Sequence, residues 1–375
     1  MHIVIVTGPF LPVPPAPCGA VERMWQELAE EFSSQTHSTV LLCRAHPDQT
    51  SNEMSRGVRY VRRMLLKRST NLYANLLKDL IYSLRMLALI PAGDIIVTNT
   101  FWLPILLPLS RQNAGKVVVN VNRMPKGQIK WYRHAARITA VSYAVQEAIA
   151  SQCESILPIT RIIPNTIDTR VFVPPEQPRN YQGILNVLYA GRIHPEKGLH
   201  LLIAAFRLVA SRDSRLHLRI IGPIEVAYGG GGTGYLQKLQ AIAGSCSVEF
   251  LPPEFDKHAL ARVYQDAHYF CYPSLAETGE SFGLAPLEAM STGLVPIVSN
   301  LACFKDFVEH GVTGMIFDHR LPDNTTQLAN TLTSLVTNPE LTSKIGDNAA
   351  QRAQAFGKER IAADYLADFE TLLAK

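Results

Sequence analysis

A chain of 375 residues exceeds what one hydrophobic core supports and implies about two domains at roughly 150 residues each. Its 47% hydrophobic and 18% charged residues exclude a polar disordered protein. The net charge of +4 hides an asymmetry: residues 1 to 175 carry 19 Lys and Arg against 11 Asp and Glu, and the remainder 17 against 21, so the first half is expected to meet something anionic.

"HIVIVTG" at the start reads as a buried parallel strand. Residues 3 to 21 are uncharged, but Pro9, Pro12, Pro14, Pro15 and Pro17 break any spanning helix. The start also lacks the basic residues and unbroken apolar stretch of a signal peptide, so a cytoplasmic protein is expected. "AVERMWQELAEEF" follows as an amphipathic helix with Val21, Met24, Trp25, Leu28 and Phe32 on one side. "TVLLC", "DIIVTNT", "KVVVNV" and "ITAVS" continue a parallel sheet.

Residues 56 to 85 hold eight Lys and Arg and one acid, and "LLKDLIYSLRMLALI" supplies apolar residues at helical spacing. This is either a surface resting on anionic lipid, peripheral at the inner membrane face, or a solvated basic face over an ordinary core helix. The basic residues are not interleaved with an aromatic platform and no nucleic-acid motif occurs, so no nucleic-acid partner is expected.

"VFVPPEQPRNYQG", with three prolines, reads as an interdomain linker between a first domain, 1–172, and a second, 183–355. A second set of short strands, "NVLYAG", "LHLRIIG", "VEFL", "AHYFCYPS" and "VPIVS", alternates with helical patterns such as "LHLLIAAFRLVASR". The economical architecture is α/β, two doubly wound Rossmann-like domains facing a cleft, with ligands at the carboxyl ends of the strands. The glycine-rich "AYGGGGTGY" lacks a strand-to-helix fingerprint and reads as a mobile loop. The six cysteines, never closer than 25 positions, offer no Cys-x-x-Cys pair and are expected to be buried reduced thiols.

Two stretches carry chemistry. In "LYAGRIHPEKGLHLL", Arg192 and Lys197 lie between a strand end and a helix, where Gly191 and Gly198 admit a close backbone; they suit a diphosphate, or are incidental charges in a solvated loop. In "ETGESFGLAPLEAMSTG", Pro286 marks a first helical turn, so the amides near Gly283, Leu284 and Ala285 favour an anion. Glu280 and Glu288 flank those amides. An ionised carboxylate only accepts hydrogen bonds, so its natural ligand is a pair of hydroxyls. Hydroxyls on both sides of a diphosphate describe a nucleotide sugar; alternatively both glutamates merely favour a helix N-terminus and solvent.

In order and spacing, "PCGAVERMWQELAEEF", "ITAVSYAVQEAI", "IIPNTIDTRVF", "YAGRIHPEKG", "ESFGLAPLE" and "EHGVTGMIF" together resemble the retaining glycosyltransferases of family 4, which have the GT-B fold. The resemblance implies that Arg192 and Lys197 bind the donor diphosphate and Glu288 the ribose hydroxyls. Glu280, with the amides of Phe282, Gly283 and Leu284, would face the transferred sugar and the phosphates, and Gly19 would line the donor site. It also implies that "ERIAADYLADFETLL" is a C-terminal helix, 356–375, crossing back onto the first domain. Gly19-Ala20 replaces the usual Gly-Gly, Thr166 replaces glycine in the Pro-Asn-Gly-x-Asp turn, and the loop at "GGGG" departs from the usual Gly-x-Gly-Pro. Asn99 and Asn122 stand where many relatives carry histidine, and asparagine is no base near pH 7. With Arg123 and Asn165 they are the acceptor-side candidates.

The expected reaction moves a hexosyl group, with retention, from a nucleotide sugar, first guess UDP-linked, to a saccharide, lipid-linked or small-molecule acceptor. Charge on the departing diphosphate would be met by Arg192, Lys197 and amides. No cofactor and no metal are expected, and the chain has no Asp-x-Asp. The alternatives are a nucleotide-sugar epimerase or phosphorylase on the same fold, or a catalytically silent nucleotide-sugar-binding protein.

Overall fold

In the computed structural model, which describes residues 1–14, 19–64, 67–110 and 115–374, "HIVIV" forms β1 (His2–Val6), four of its five residues buried. After α1 (Ala20–Ser34) come β2 (Ser38–Arg44), β3 (Asn52–Ser55), β4 (Val58–Arg63), α2 (Leu72–Leu87), β5 (Ile95–Thr98) and α3 (Leu103–Leu106). Then follow β6 (Lys116–Val121), β7 (Arg137–Ala140), α4 (Tyr143–Gln152) and β8 (Thr160–Ile162). The sheet order is β3-β4-β2-β1-β5-β6-β7-β8, parallel throughout except the β3–β4 pair. That short antiparallel edge was not anticipated, because "NEMS" is polar and exposed and carries no strand periodicity.

A second sheet begins with β9 (Leu185–Ala190), followed by α5 (Leu199–Ala210), β10 (Leu216–Ile221), α6 (Gly232–Ala243), β11 (Val248–Leu251), α7 (Lys257–Gln265) and β12 (Tyr269–Tyr272). It ends with α8 (Leu284–Ser291), β13 (Pro296–Ser299), β14 (Met315–Phe317), α9 (Asn324–Val336) and α10 (Pro339–Ala353). The order β11-β10-β9-β12-β13-β14 is parallel throughout. Both sheets are thus doubly wound, with a switch point between β1 and β5 in one and between β9 and β12 in the other.

The chain divides into two compact units, Met1–Thr166 with Lys358–Lys375, and Ile167–Gly357. The C-terminal α11 (Lys358–Leu373) therefore belongs to the first unit. It buries Ile361, Tyr365, Leu366 and Phe369. Tyr365 lies 5.2 Å from Trp25 and Phe369 lies 6.0 Å from Phe32, ring to ring, and Arg137 Nε donates to Asp368 at 2.9 Å. Burial of side chains this size contributes roughly 1.5–3 kcal/mol each.

The boundary at 166/167 is earlier than the sequence reading placed it, and the segment read as a linker is part of the second unit. Phe172 is buried edge-on to Tyr264, and Ser291 Oγ donates to the Phe172 carbonyl. Half-buried Arg179 donates to the carbonyls of Ala267, Thr292 and Gly293 at 2.7, 2.8 and 3.2 Å. Its prolines remove amides that would otherwise need partners, but its side chains anchor it. Of the cysteines, Cys43, Cys271 and Cys303 are buried and free, whereas Cys153 and Cys246 are half-buried; Cys18 lies outside the described residues, as do Pro15 and Pro17.

Candidate functional site

At the switch point of the second sheet, the loops leaving β9 and β12 emerge side by side, because those strands are hydrogen-bonded neighbours. The β9 loop makes a single 3-10 turn at Pro195–Lys197, capped by the His194 side chain. It closes at Gly198, whose φ of 68° is left-handed and whose Cβ, were there one, would sit 2.1 Å from the Pro273 carbonyl oxygen. Only glycine lets the two loops approach so closely. The approach turns Lys197 inward, and its Nζ donates to Glu280 Oε2 at 2.6 Å with both side chains buried. The same ammonium lies 5.4 Å from the centre of the Tyr272 ring. Burial, and then the Glu280 charge, hold the Tyr272 phenol protonated far above its ordinary pKa.

Arg192 is placed by its neighbours too. Its NH2 donates to Glu196 Oε1 at 2.5 Å and its NH1 to the Gly229 carbonyl at 2.9 Å. The glycine-rich stretch is therefore not the free loop expected from sequence. Gly231 N donates to the Ile193 carbonyl at 2.8 Å, Gly232 N to that of Ile224, and Gly232 opens α6.

Gly283, with φ of 90°, is the N-cap of α8, and no side chain caps this helix. The amides of Gly283, Leu284 and Ala285 thus surround a helix N-terminus that carries partial positive charge. Pro286 falls in the first turn. Phe282 is different: its ring is buried 5.3 Å from Phe307 and 6.0 Å from Phe356, so only its backbone can face a ligand. Glu288 Oε2 accepts from Tyr264 OH at 3.0 Å, and that hydroxyl also reaches the Ala285 carbonyl at 3.3 Å. A loop brace missed from sequence stands beside Glu280. Glu277 accepts from Arg320 Nε and NH2 at 2.7 and 3.0 Å, and lies 2.9 Å from His319 Nε2; neither partner is adjacent in sequence, so spacing gave no signal.

The first unit gathers polar groups at the carboxyl ends of β1, β5 and β6. Buried Asn120 is the hub. Its Oδ1 accepts from Asn99 Nδ2 at 2.7 Å, from Trp25 Nε1 at 3.3 Å and from Asn122 Nδ2, and its Nδ2 donates to Thr139 Oγ1 and Tyr365 OH at 2.9 and 3.1 Å. The structure so joins Asn99 and Asn122 through a residue the sequence reading passed over, although a lone asparagine inside "KVVVNV" was a usable signal. Asn99 Oδ1 and Thr7 Oγ1 are buried without hydrogen-bond partners.

Glu22, also passed over, is buried in α1. Desolvation raises its pKa, partly offset by a backbone hydrogen bond and by the charge of exposed Arg123. Asn165 Oδ1 and Thr166 Oγ1, in the turn ending this unit, are likewise buried without partners. Gly19 is the N-cap of α1. Among the described residues, no group of three His, Cys, Asp or Glu side chains is disposed to hold a metal ion.

Residues 175–352 match the family model of the glycosyl transferases group 1. The D-inositol 3-phosphate glycosyltransferase of Arthrobacter sp. is 29% identical over 250 residues, 64% of this chain and 57% of that protein. Its namesake from Streptomyces coelicolor is 32% identical over 185 residues, 48% of this chain and 39% of the relative. The chain thus spans about half the length of the curated relatives it matches. Among solved structures, the sucrose-phosphate synthase of Thermosynechococcus elongatus superposes with a TM-score of 0.79 at 19% identity, covering 100% of both chains. Anabaena HepE in complex with UDP and glucose superposes at 0.74 with 16% identity, covering 99% of this chain and 100% of that one. The fold is GT-B, and within it residues 175–352 are similar to the glycosyl transferases group 1.

Proposed function

We propose that this chain is a retaining hexosyltransferase that takes a sugar from a UDP-linked donor to a saccharide, glycolipid or small-molecule acceptor. The observation that carries the reading is the buried Lys197–Glu280 pair, 2.6 Å apart, at a switch point beside the uncapped N-terminus of α8. Cations and amides converging there suit a diphosphate. The carboxylates of Glu280 and Glu288 suit hydroxyls. That HepE was solved with UDP and with UDP-glucose supports the choice of base.

In this reading the bond between the anomeric carbon and the phosphate oxygen breaks, and its electron pair leaves with the diphosphate. The acceptor hydroxyl oxygen bonds to the same face of that carbon and its proton passes to the departing phosphate oxygen. Lys197 and Arg192 stabilise the charge that develops there, an interaction stronger in the transition state than in the ground state. Glu280 positions Lys197 and accepts from a sugar hydroxyl; Glu288, oriented by Tyr264, takes the ribose. The neutral asparagines Asn99 and Asn122 would contact hydroxyls on the acceptor side, with Arg123 and Asn165 as further candidates. Because the leaving group takes the proton, no enzyme base is required at either asparagine.

The test is a melting-point screen of UDP-, GDP- and ADP-sugars, followed by measurement of diphosphonucleoside release with sugar acceptors. A ligand at a hundred times its Kd raises stability by about 2.7 kcal/mol. Stabilisation by a UDP-sugar with UDP release on adding acceptor is expected. Stabilisation without release under any acceptor would favour a silent binding protein, and no stabilisation by any nucleotide sugar would overturn the reading.

A further inference from the structure

Helix α2 puts an acid inside and several large apolar side chains outside. It buries Asp79, Tyr82, Ser83 and Met86, spaced i, i+3, i+4 and i+7, and shows Leu72, Tyr73, Leu77 and Leu84 to solvent at 66, 80, 58 and 50% exposure. Asp79 has a structural reason to be inside. It accepts from the amides of Phe101 and Trp102 at 3.3 and 3.2 Å and from Ser83 Oγ at 3.2 Å, capping the turn before α3. Yet Asp79 is the sole acid between Glu53 and Asp94. Its burial leaves an outward surface that is apolar and basic, with Lys67, Arg68 and Arg85 exposed and Lys78 half-exposed.

The surface continues across three aromatic rings. Trp102 Nε1 donates to the Leu76 carbonyl of α2 at 2.9 Å. Phe101 stands edge-on between Trp102 and Trp131, at 5.1 and 5.5 Å. Trp131 is 47% exposed, with Lys130 Nζ 6.0 Å from its ring centre. No acid occurs from residue 95 to 146. Among the described residues, no helix is long and apolar enough to cross a membrane.

Leucines alone would suit any apolar partner. Leucines with tyrosine and tryptophan, rimmed by lysine and arginine and free of acids, match the interfacial zone of a bilayer, where the rings sit at headgroup depth and the cations meet lipid phosphates. A protein partner fits less well, since protein interfaces are depleted in lysine. We propose that the first unit docks peripherally on an anionic lipid bilayer through α2 and the Phe101, Trp102 and Trp131 rings. The docking stands apart from the transferase reading. Only one consequence rests on that reading: the rings begin two residues after Asn99, so docking brings the acceptor-side asparagines to a lipid-linked substrate.

Flotation of the full chain with vesicles of phosphatidylcholine, with and without phosphatidylglycerol, tests this without any donor. Binding to the anionic vesicles at low salt, weakening as salt rises, is expected. Neutralising one basic residue at such a surface weakens binding about fivefold, so Lys78→Gln with Arg85→Gln should cost about 25-fold. Leu77→Gln with Leu84→Gln should lower it at least about tenfold; these side chains face solvent, and an unchanged melt will show the fold intact. Equal binding to both vesicle types, no binding at low salt, or parent-like binding by both variants overturns the proposal. So does self-association of the parent that Leu77→Gln abolishes, which would assign the face to a second copy of the chain.

Discussion

The Lys197–Glu280 pair allows its structural and chemical roles to be separated. Both side chains are at least nine-tenths buried, so Lys197→Met leaves a carboxylate in the interior without its cation, at a cost of about 3–5 kcal/mol. Lys197→Met combined with Glu280→Gln removes both charges at nearly constant volume, and most of that loss should return, because neutral replacements of a buried pair are often close to neutral in stability. Turnover should follow a different course. Losing a donor to the departing diphosphate costs about 10² to 10³ in rate, or roughly 3–4 kcal/mol, and the double variant lacks that donor just as the single one does. Urea denaturation followed by far-UV circular dichroism reads the stability. Trp25, Trp102 and Trp131 are the chain's three tryptophans and all lie in the first unit, so tryptophan fluorescence separates its transition from that of the second. UDP release from a UDP-sugar reads the chemistry. A double variant regaining parent-like release, or a Lys197→Met protein as stable and active as the parent, would refute the reasoning.

Glu22, whose pKa burial raises above the ordinary 4.5, favours its protonated form when folded; its contribution to stability is full below 4.5 and is lost as pH rises through the raised value. Glu22→Gln should therefore melt higher than the parent at neutral pH, the difference closing as pH falls toward 4.5, and a pH-independent difference would contradict this. Phe282→Ala should destabilise the second unit by about 3–5 kcal/mol through the cavity left beside Phe307 and Phe356. Phe282→Leu should keep donor affinity near that of the parent in calorimetric titration, since only the backbone at this position is open to ligand. Gly198→Ala must hold an L-residue at φ 68° against the Pro273 carbonyl; a loss of at least about 1–2 kcal/mol, with reduced UDP release because Lys197 shifts, is the expected outcome in denaturation and turnover assays.

The strands were legible in sequence because parallel strands buried on both faces are written as unbroken apolar runs, such as "HIVIV" and "YFCY". The edge strand β3 was not, since three of its four residues are exposed and carry no apolar alternation. Arg192 and Lys197 were legible as site candidates from their place between a strand end and a helix. Their partners were legible unequally: Glu196 is four residues from Arg192, whereas Glu280 is 83 residues from Lys197. Phe282 was read with the amides around it, and only packing against Phe307 and Phe356 shows that its ring faces the core. Similarly, counting charges found the basic stretch around α2, but composition cannot tell that its one acid, Asp79, faces inward.

What the sequence lacked was strand order. A parallel sheet that winds outward in both directions leaves one pair of adjacent strands whose following helices depart to opposite faces, and the loops between them open a crevice. In the second unit that pair is β9 and β12, which bring together Lys197 and Glu280; in the first it is β1 and β5, which place Thr7 near the turn bearing Asn99. Three strand-and-helix repeats separate the members of the second pair, so no local pattern announces their contact. The chemistry at each crevice follows from what the loops carry. The second has buried opposite charges and bare amides, able to hold an anion flanked by hydroxyls. The first has neutral amides and a hydroxyl with buried unfilled acceptors, able to bind a polyol without ionising it. Polar atoms left unpaired in an interior are costly unless something completes them, so in the proposed acceptor-side reading Asn99 Oδ1 and Thr7 Oγ1 are atoms that a hydroxylated ligand would complete.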